Sequence, residues 1–259
     1  MVELLLQRIR SWMFDAALAA WTAMFLPVVV VLLACGRPRR LVRAASRFWA
    51  TGVLKALRWT VGVTHVEHGR ENLPAQPCLI VANHQSAWET IAFLILVPDV
   101  AIIAKKELLR VPVMGWFLRN SPMILVDRTA GAGSIRQMLT EARNALASGR
   151  HVLIFPEGTR QSPTTPVEFK RGVELLYSQL GVPVLPVALD SGLFWGKESR
   201  SKRPGAITLS YLAPIEPGLS TREFVRRAQV AVQSALSARQ NVAAAAADLF
   251  SVPAAPERI

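Results

Sequence analysis

The sequence predicts an α/β domain, a central mixed sheet flanked by helices, with an N-terminal membrane-associated helical segment. Three observations predict it. Seven short apolar runs alternate with helical patterns between about residues 60 and 212. Residues 16–36 contain no charged side chain. Residues 41–60 mix aromatic and basic side chains at helical spacing. Strands alternating with helices give an α/β fold whose sites lie at the carboxyl ends of strands.

The charge-free run comes first. As a helix, residues 16–36 reach roughly 30 Å, about the hydrocarbon thickness of a bilayer. Pro27 is expected to kink it. Arg37, Arg39, Arg40, Arg43 and Arg47 come next, whereas upstream Arg8 and Arg10 are offset by Glu3 and Asp15. That asymmetry places the α/β domain on the cytoplasmic side. Two other readings compete: a buried core helix, and an export signal, because Leu32-Leu33-Ala34-Cys35 is lipobox-like. In residues 41–60, Arg43, Arg47, Lys55 and Arg58 form a basic stripe beside Phe48, Trp49, Leu54 and Trp59. Such a helix lies in a headgroup layer or packs on the domain with its arginines solvated. The chain thus divides into 1–59 (membrane and basic helices), 60–240 (α/β domain) and 241–259 (Ala/Pro-rich tail).

The expected strands are 61–67, 78–82, 100–104, 123–126, 152–155, 184–189 and 206–211. The expected helices are 87–97, 108–118, 134–148, 167–180 and 221–240, and 242–259 is expected to fray. In 134–148 the residues Ile135, Met138, Leu139, Ala142 and Leu146 mark one apolar face.

Composition narrows the class. The chain is 51% hydrophobic with mean hydropathy +0.30, which excludes a disordered chain and leaves apolar surface for lipid. Thirty basic against eighteen acidic residues give a net charge of +12, so anionic partners are favoured. Two cysteines, Cys35 and Cys78, make no disulfide framework. No metal-ligand spacing, phosphate loop or dinucleotide fingerprint is present, so neither a metal nor another cofactor is expected. No nucleic-acid-reading motif accompanies the charge, so no nucleic-acid partner is expected.

Two constellations carry chemistry. In Asn83-His84-Gln85-Ser86-Ala87-Trp88-Glu89 an apolar strand delivers a histidine into a turn that opens a helix. His84 and Glu89 are five residues apart, so they meet only if His84 precedes the helix. Ser86 and Glu89 read as a capping box, in which the glutamate reaches back toward the helix start. The same geometry sets a carboxylate on one imidazole nitrogen and leaves the other to take a proton. These residues alone leave a pure capping box and a catalytic pair equally open. In Phe155-Pro156-Glu157-Gly158-Thr159-Arg160 another strand ends in a turn. Gly158 permits close backbone approach, Thr159 offers a hydroxyl and Arg160 a guanidinium fork for phosphate. A turn with solvated charges is the competing reading.

Together the two blocks resemble the signature motifs of the glycerolipid acyltransferase family. Gly115 to Arg128, ending Ile124-Leu125-Val126-Asp127-Arg128, and the run Val184-Leu185-Pro186-Val187-Ala188-Leu189 resemble two further blocks in order. The resemblance covers about residues 60–215. Glu89 stands where the family more often has aspartate.

The resemblance implies transfer of a fatty acyl group from acyl-CoA or acyl-carrier protein to a lysophospholipid hydroxyl. The implied acceptor is 1-acyl-glycerol-3-phosphate, acylated at sn-2 to phosphatidic acid. Lyso-ornithine lipid is an alternative acceptor, and a non-catalytic basic membrane adaptor the alternative of another class. In this reading His84 is the general base and Glu89 orients it. Arg160 clamps the acceptor phosphate with Arg128 as a second clamp. Glu157, Gly158 and Thr159 shape the acceptor site, with Glu157 holding the Arg160 guanidinium in place, and Lys105 adds positive field. Membrane lipids complete the expected partners.

Overall fold

The computed structural model of the chain describes residues 2–111, 113–121, 123–127, 131–197 and 201–250. Its strands are β1 (Val63–His68), β2 (Leu79–Ala82), β3 (Ala101–Lys105), β4 (Ile124–Val126), β5 (Val152–Ile154), β6 (Val184–Leu189) and β7 (Gly205–Tyr211). They form one seven-stranded sheet in the order β1-β7-β6-β2-β5-β3-β4. β6, β2, β5, β3 and β4 run parallel, and β7 is antiparallel to β6, so the sheet is mixed. β2 and β6 are buried at every position, which explains why they read as continuous apolar runs rather than alternating ones.

The helices are α1 (Val2–Ala23), α2 (Leu26–Ala34), α3 (Arg39–Thr60), α4 (Trp88–Leu96), α5 (Met114–Asn120), α6 (Gly131–Ala147), α7 (Arg171–Leu180) and α8 (Thr221–Phe250). They cover both faces of the sheet. Successive β2 residues point to opposite layers. Ile80 and Ala82 join Val53, Leu57 and Phe93 on the α3–α4 side, while Leu79 and Val81 join Met138, Leu176 and Phe224 on the other. Burying each such Leu, Ile or Phe stabilises the fold by about 1.5–3 kcal/mol.

The charge-free run is not one helix. α1 ends at Ala23 and α2 starts at Leu26. Pro27 is the cause: its ring clashes with the carbonyl four residues back, which is that of Ala23, and it brings no N–H. α1 also begins far upstream of residue 16 and is tied to the α/β domain. Phe14 is fully buried in the core. Lys202 Nζ pairs with Asp15 at 2.7 Å, and the Lys202 N–H donates to Ser11 Oγ at 2.8 Å. Trp21 Nε1–H donates to the Trp49 carbonyl at 2.9 Å, and Gly52 leaves room for the indole.

α3 packs on the domain, as one of the two readings of residues 41–60 expects, but two of its arginines are paired rather than solvated. Its stripe Val42, Ser46, Ala50, Val53 and Leu57 is buried against the domain. Leu41, Phe48 and Trp59 stay exposed, and Arg43 and Arg47 pair with Asp99 at 3.1 and 2.6 Å.

Most expected boundaries shift by one to three residues, and three larger departures have a local cause. The helix expected over 108–118 is a 3-10 turn, Lys106–Arg110, followed by α5. A residue before proline avoids the helical region, and Val111, which precedes Pro112 in the sequence, is extended at φ −77° and ψ 121°. α7 starts at Arg171 rather than 167, because Lys170 is extended and its N–H bonds the Pro156 carbonyl at 3.0 Å. α8 runs on through Phe250, where the composition predicts fraying, since its alanines favour helix. Residues 251–259 lie outside the described chain.

Candidate active site

The site gathers at the carboxyl ends of three neighbouring parallel strands, β6, β2 and β5. β2 ends at Ala82, and Asn83 pins the strand end to β6. Its Nδ2–H donates to the Leu189 carbonyl at 2.8 Å, and its Oδ1 accepts the Leu189 N–H at 2.9 Å. The chain then turns through His84 into α4.

Glu89 is completely buried in the first turn of α4. Its Oε1 accepts His84 Nδ1–H at 2.9 Å and the N–H groups of Gln85 and Ser86 at 2.6 Å each. Its Oε2 accepts the Ser191 hydroxyl at 2.7 Å. One carboxylate therefore makes both the helix-start contacts and the contact with the imidazole. The cap position of α4 is Ala87 rather than Ser86, so the expected box is displaced by one residue; Glu89 still accepts the Ser86 N–H, Ser86 Oγ accepts the Trp88 N–H at 3.1 Å, and the same carboxylate holds the imidazole. A proton on Nδ1 leaves the lone pair on Nε2. The ring stacks on Phe155 with centroids 4.2 Å apart and planes 18° from parallel, and 18% of the side chain stays accessible.

The 155–160 turn grips the His84 main chain from both sides. Glu157 Oε2 accepts the His84 N–H at 2.6 Å, and the Gln161 N–H donates to the His84 carbonyl at 2.7 Å. Gly158 takes φ 70°, a left-handed value that glycine adopts without strain, and closes the turn onto the Phe155 carbonyl at 3.0 Å. Thr159 and Arg160 are half-buried beside it. The expected ion pair between Glu157 and Arg160 is not formed. Instead Glu157 is 3% exposed and occupied with His84, and Arg160 has no ion pair among the described residues.

The remaining candidates fall outside this cluster. Lys105 is exposed at the carboxyl end of β3, with no contact to His84 among the described residues. Arg128 lies outside the described residues. Cys78 sits at the other end of β2 against His151, and burial pushes its thiol up to about 12, so it is no nucleophile at neutral pH. Sequence reasoning missed Asn83, Gln161 and Ser191. Their partners lie far away along the chain, 106 residues for Asn83 and 102 for Ser191, beyond any periodic pattern.

Burial lifts the Glu157 carboxyl to about 7, and the nearby Glu89 charge adds to the rise, against the opposing hydrogen bond from His84. The folded protein therefore holds this proton above the ordinary carboxylate range, near 4.5. The Glu157 contribution to stability is fully present below that range and is lost as pH climbs through about 7, because the unfolded chain releases its proton first. The Glu157 share is about 3 kcal/mol. The stability of the wild type is expected to fall between about pH 5 and pH 8 by roughly that amount more than that of Glu157→Gln, whose amide oxygen still accepts the His84 N–H. Parallel pH profiles of thermal unfolding for the two proteins would refute the assignment.

Comparison with known proteins sets the class. Residues 65–190 match the family model described as Acyltransferase. The 1-acyl-sn-glycerol-3-phosphate acyltransferase of Pseudomonas aeruginosa is 35% identical over 207 residues, covering 78% of each chain. That of Chlamydomonas reinhardtii is 30% identical over 245 residues, covering 90% of this chain and 71% of its own. The crystal structure of the 1-acyl-sn-glycerophosphate acyltransferase of Thermotoga maritima superposes with a TM-score of 0.70 at 23% identity, covering 92% of this chain and 95% of that one, and so shares the fold. The protein is an acyltransferase enzyme, and the chain belongs to the 1-acyl-sn-glycerol-3-phosphate acyltransferase family within the glycerolipid acyltransferases. The non-catalytic adaptor is thereby set aside.

Proposed function

We propose that the enzyme transfers a fatty acyl group from acyl-CoA or acyl-carrier protein to the sn-2 hydroxyl of 1-acyl-glycerol-3-phosphate, giving phosphatidic acid for phospholipid synthesis. The observation that carries this reading is the 2.9 Å contact of His84 with a fully buried Glu89. An alcohol is a poor nucleophile at neutral pH and needs a base. His84 Nε2 takes the hydroxyl proton as the oxygen attacks the thioester carbonyl. Glu89 stabilises the imidazolium that forms. The tetrahedral intermediate expels the thiolate, which recovers the proton from His84, so the base is regenerated. Direct attack needs no acyl-enzyme, and Ser86, buried and bonded to Trp88, has no part as nucleophile.

Arg160 supplies the phosphate clamp: it is half-buried on the turn that holds His84, and its guanidinium is not committed to a carboxylate among the described residues. Replacing Arg160 with alanine is expected to raise the acceptor KM by about 10- to 100-fold with the thioester KM unchanged. An unchanged KM for lysophosphatidate would remove Arg160 from this role. The reading as a whole is tested by offering the purified enzyme a labelled acyl thioester with lysophosphatidate beside lyso-ornithine lipid. Thiol release with lysophosphatidate supports it, and release with lyso-ornithine lipid alone overturns the acceptor.

Membrane binding is assigned to the N-terminal helices. Val2–Ala34 is long and apolar enough to cross a bilayer, and only 11% of its most apolar window is buried. Leu5, Ile9, Trp12, Val30, Val31, Phe48 and Trp59 are exposed. Phe14 and Asp15 anchor α1 to the domain, which favours a segment lying along the interface over one that leaves the domain to cross. Arg37, Arg39 and Arg40 then meet anionic headgroups from the cytoplasmic face, each contributing about 1 kcal/mol near the surface.

A further inference from the structure

We propose that Ser191 is a positioning residue that completes a Ser191–Glu89–His84 relay, holding the carboxylate that braces the catalytic base. The inference rests on the acyl-transfer reading above and extends it to a residue beyond the four blocks.

Ser191 succeeds β6 in a short 3-10 turn, Ser191–Leu193, and is fully buried. Its hydroxyl donates to Glu89 Oε2 at 2.7 Å, while Oε1 already serves His84 and two backbone N–H groups. Each oxygen of a carboxylate with no solvent access is thus satisfied. The turn itself is registered to the His84 loop at two more points. Leu189 makes two bonds with Asn83, and the Gly192 N–H donates to Gln85 Oε1 at 3.1 Å. Gly192 is required there, since a Cβ would crowd Gln85 and Pro163. The chain after β6 therefore sets where Glu89 points, and Glu89 sets the ring of His84.

The relay makes a signed prediction. Without the hydroxyl, negative charge on Glu89 is less dispersed, so the pair binds a proton more tightly whether it rests on the imidazole or the carboxyl. In Ser191→Ala the acid limb of the kcat/KM profile moves to higher pH by about 0.5–1 unit. kcat falls about tenfold, equivalent to about 1.4 kcal/mol. KM for acceptor and thioester stays within about twofold of wild type, because Ser191 touches neither. Ser191→Thr, which keeps the hydroxyl, restores both values.

Other ionisable groups surround the pair. Glu157 faces it from the turn after β5 and titrates near 7. Arg160 lies on that same turn. Asp190 adjoins Ser191, accepts the Thr208 N–H at 2.8 Å and lies 3.9 Å from Arg239 of α8. His65 of β1 contacts Trp88, with ring centroids 5.6 Å apart. The comparison is therefore repeated in a Glu157→Gln background, where the shift must persist.

NMR titration of the His84 ring, assigned by its loss in His84→Ala, reads the same shift without turnover. A kcat within about twofold of wild type overturns the relay. So does a lower kcat with an unmoved acid limb and an unmoved His84 titration, which marks a merely structural serine. Should the alanine variant fail to fold, Ser191→Cys, a weak donor, must show the upward shift, and a wild-type limb there overturns the proposal. A wild-type enzyme that acylates no lysolipid overturns the function proposed above instead, and the NMR comparison still decides Ser191.

Discussion

Replacing His84 with alanine is expected to lower acyl transfer by about 10²–10⁴-fold while leaving the protein folded. Among the described residues of the cluster, the lost group is the one placed to take a proton from an alcohol: Glu89 is wholly buried and saturated by donors, and Glu157 is occupied with the His84 main chain. The fold survives because the loop is held through backbone atoms that alanine keeps. The residue-84 N–H still meets Glu157, and its carbonyl still meets Gln161. What is lost structurally is a partly accessible ring stacked on Phe155 and one bond to Glu89. Thermal unfolding and thiol release from the acyl thioester, measured on the same preparation, decide the matter. Near-normal turnover with normal folding would end the base assignment.

Glu89→Ala carries the second large effect and differs in kind. Removing this side chain leaves four donors without their acceptor: His84 Nδ1–H, the N–H groups of Gln85 and Ser86, and the Ser191 hydroxyl. Each buried unsatisfied group costs about 1–3 kcal/mol, and the costs do not simply add. A total loss of about 3–5 kcal/mol is expected, lowering Tm by roughly 10 °C, together with activity as low as that of His84→Ala. Glu89→Gln separates the two contributions. Its amide oxygen still accepts N–H groups, so stability largely returns. The negative charge that favours imidazolium does not return, so activity stays low. Wild-type turnover in Glu89→Gln would show that Glu89 serves only as a helix cap.

The parts of this site are unequally legible in the sequence. His84 and Glu89 can be read together because both belong to one strand–turn–helix segment, where local stereochemistry limits what a capping glutamate can reach. The 155–160 turn can be read as a glycine-bearing strand end, but its partner cannot. Sequence proximity sets Glu157 beside Arg160, yet its carboxylate binds the main chain of a residue 73 positions earlier. Local pattern also misjudges 108–118, where apolar spacing suggests a single helix and the proline at 112 breaks it.

The sequence by itself determined β2 and β6, because two-sided burial demands uninterrupted apolar runs such as Leu79–Ala82 and Val184–Leu189, and it set His84 and Glu89 five residues apart on one strand–turn–helix segment. Only the tertiary structure decided that β6 lies beside β2, which brings Ser191 under Glu89 and Leu189 against Asn83. It also decided that α1 docks through Phe14 and Asp15 instead of standing free of the domain. The physical reason is range: helix caps and strand patterns are set by neighbours within one turn, whereas a buried carboxylate takes its donors from whichever strands the sheet order makes adjacent.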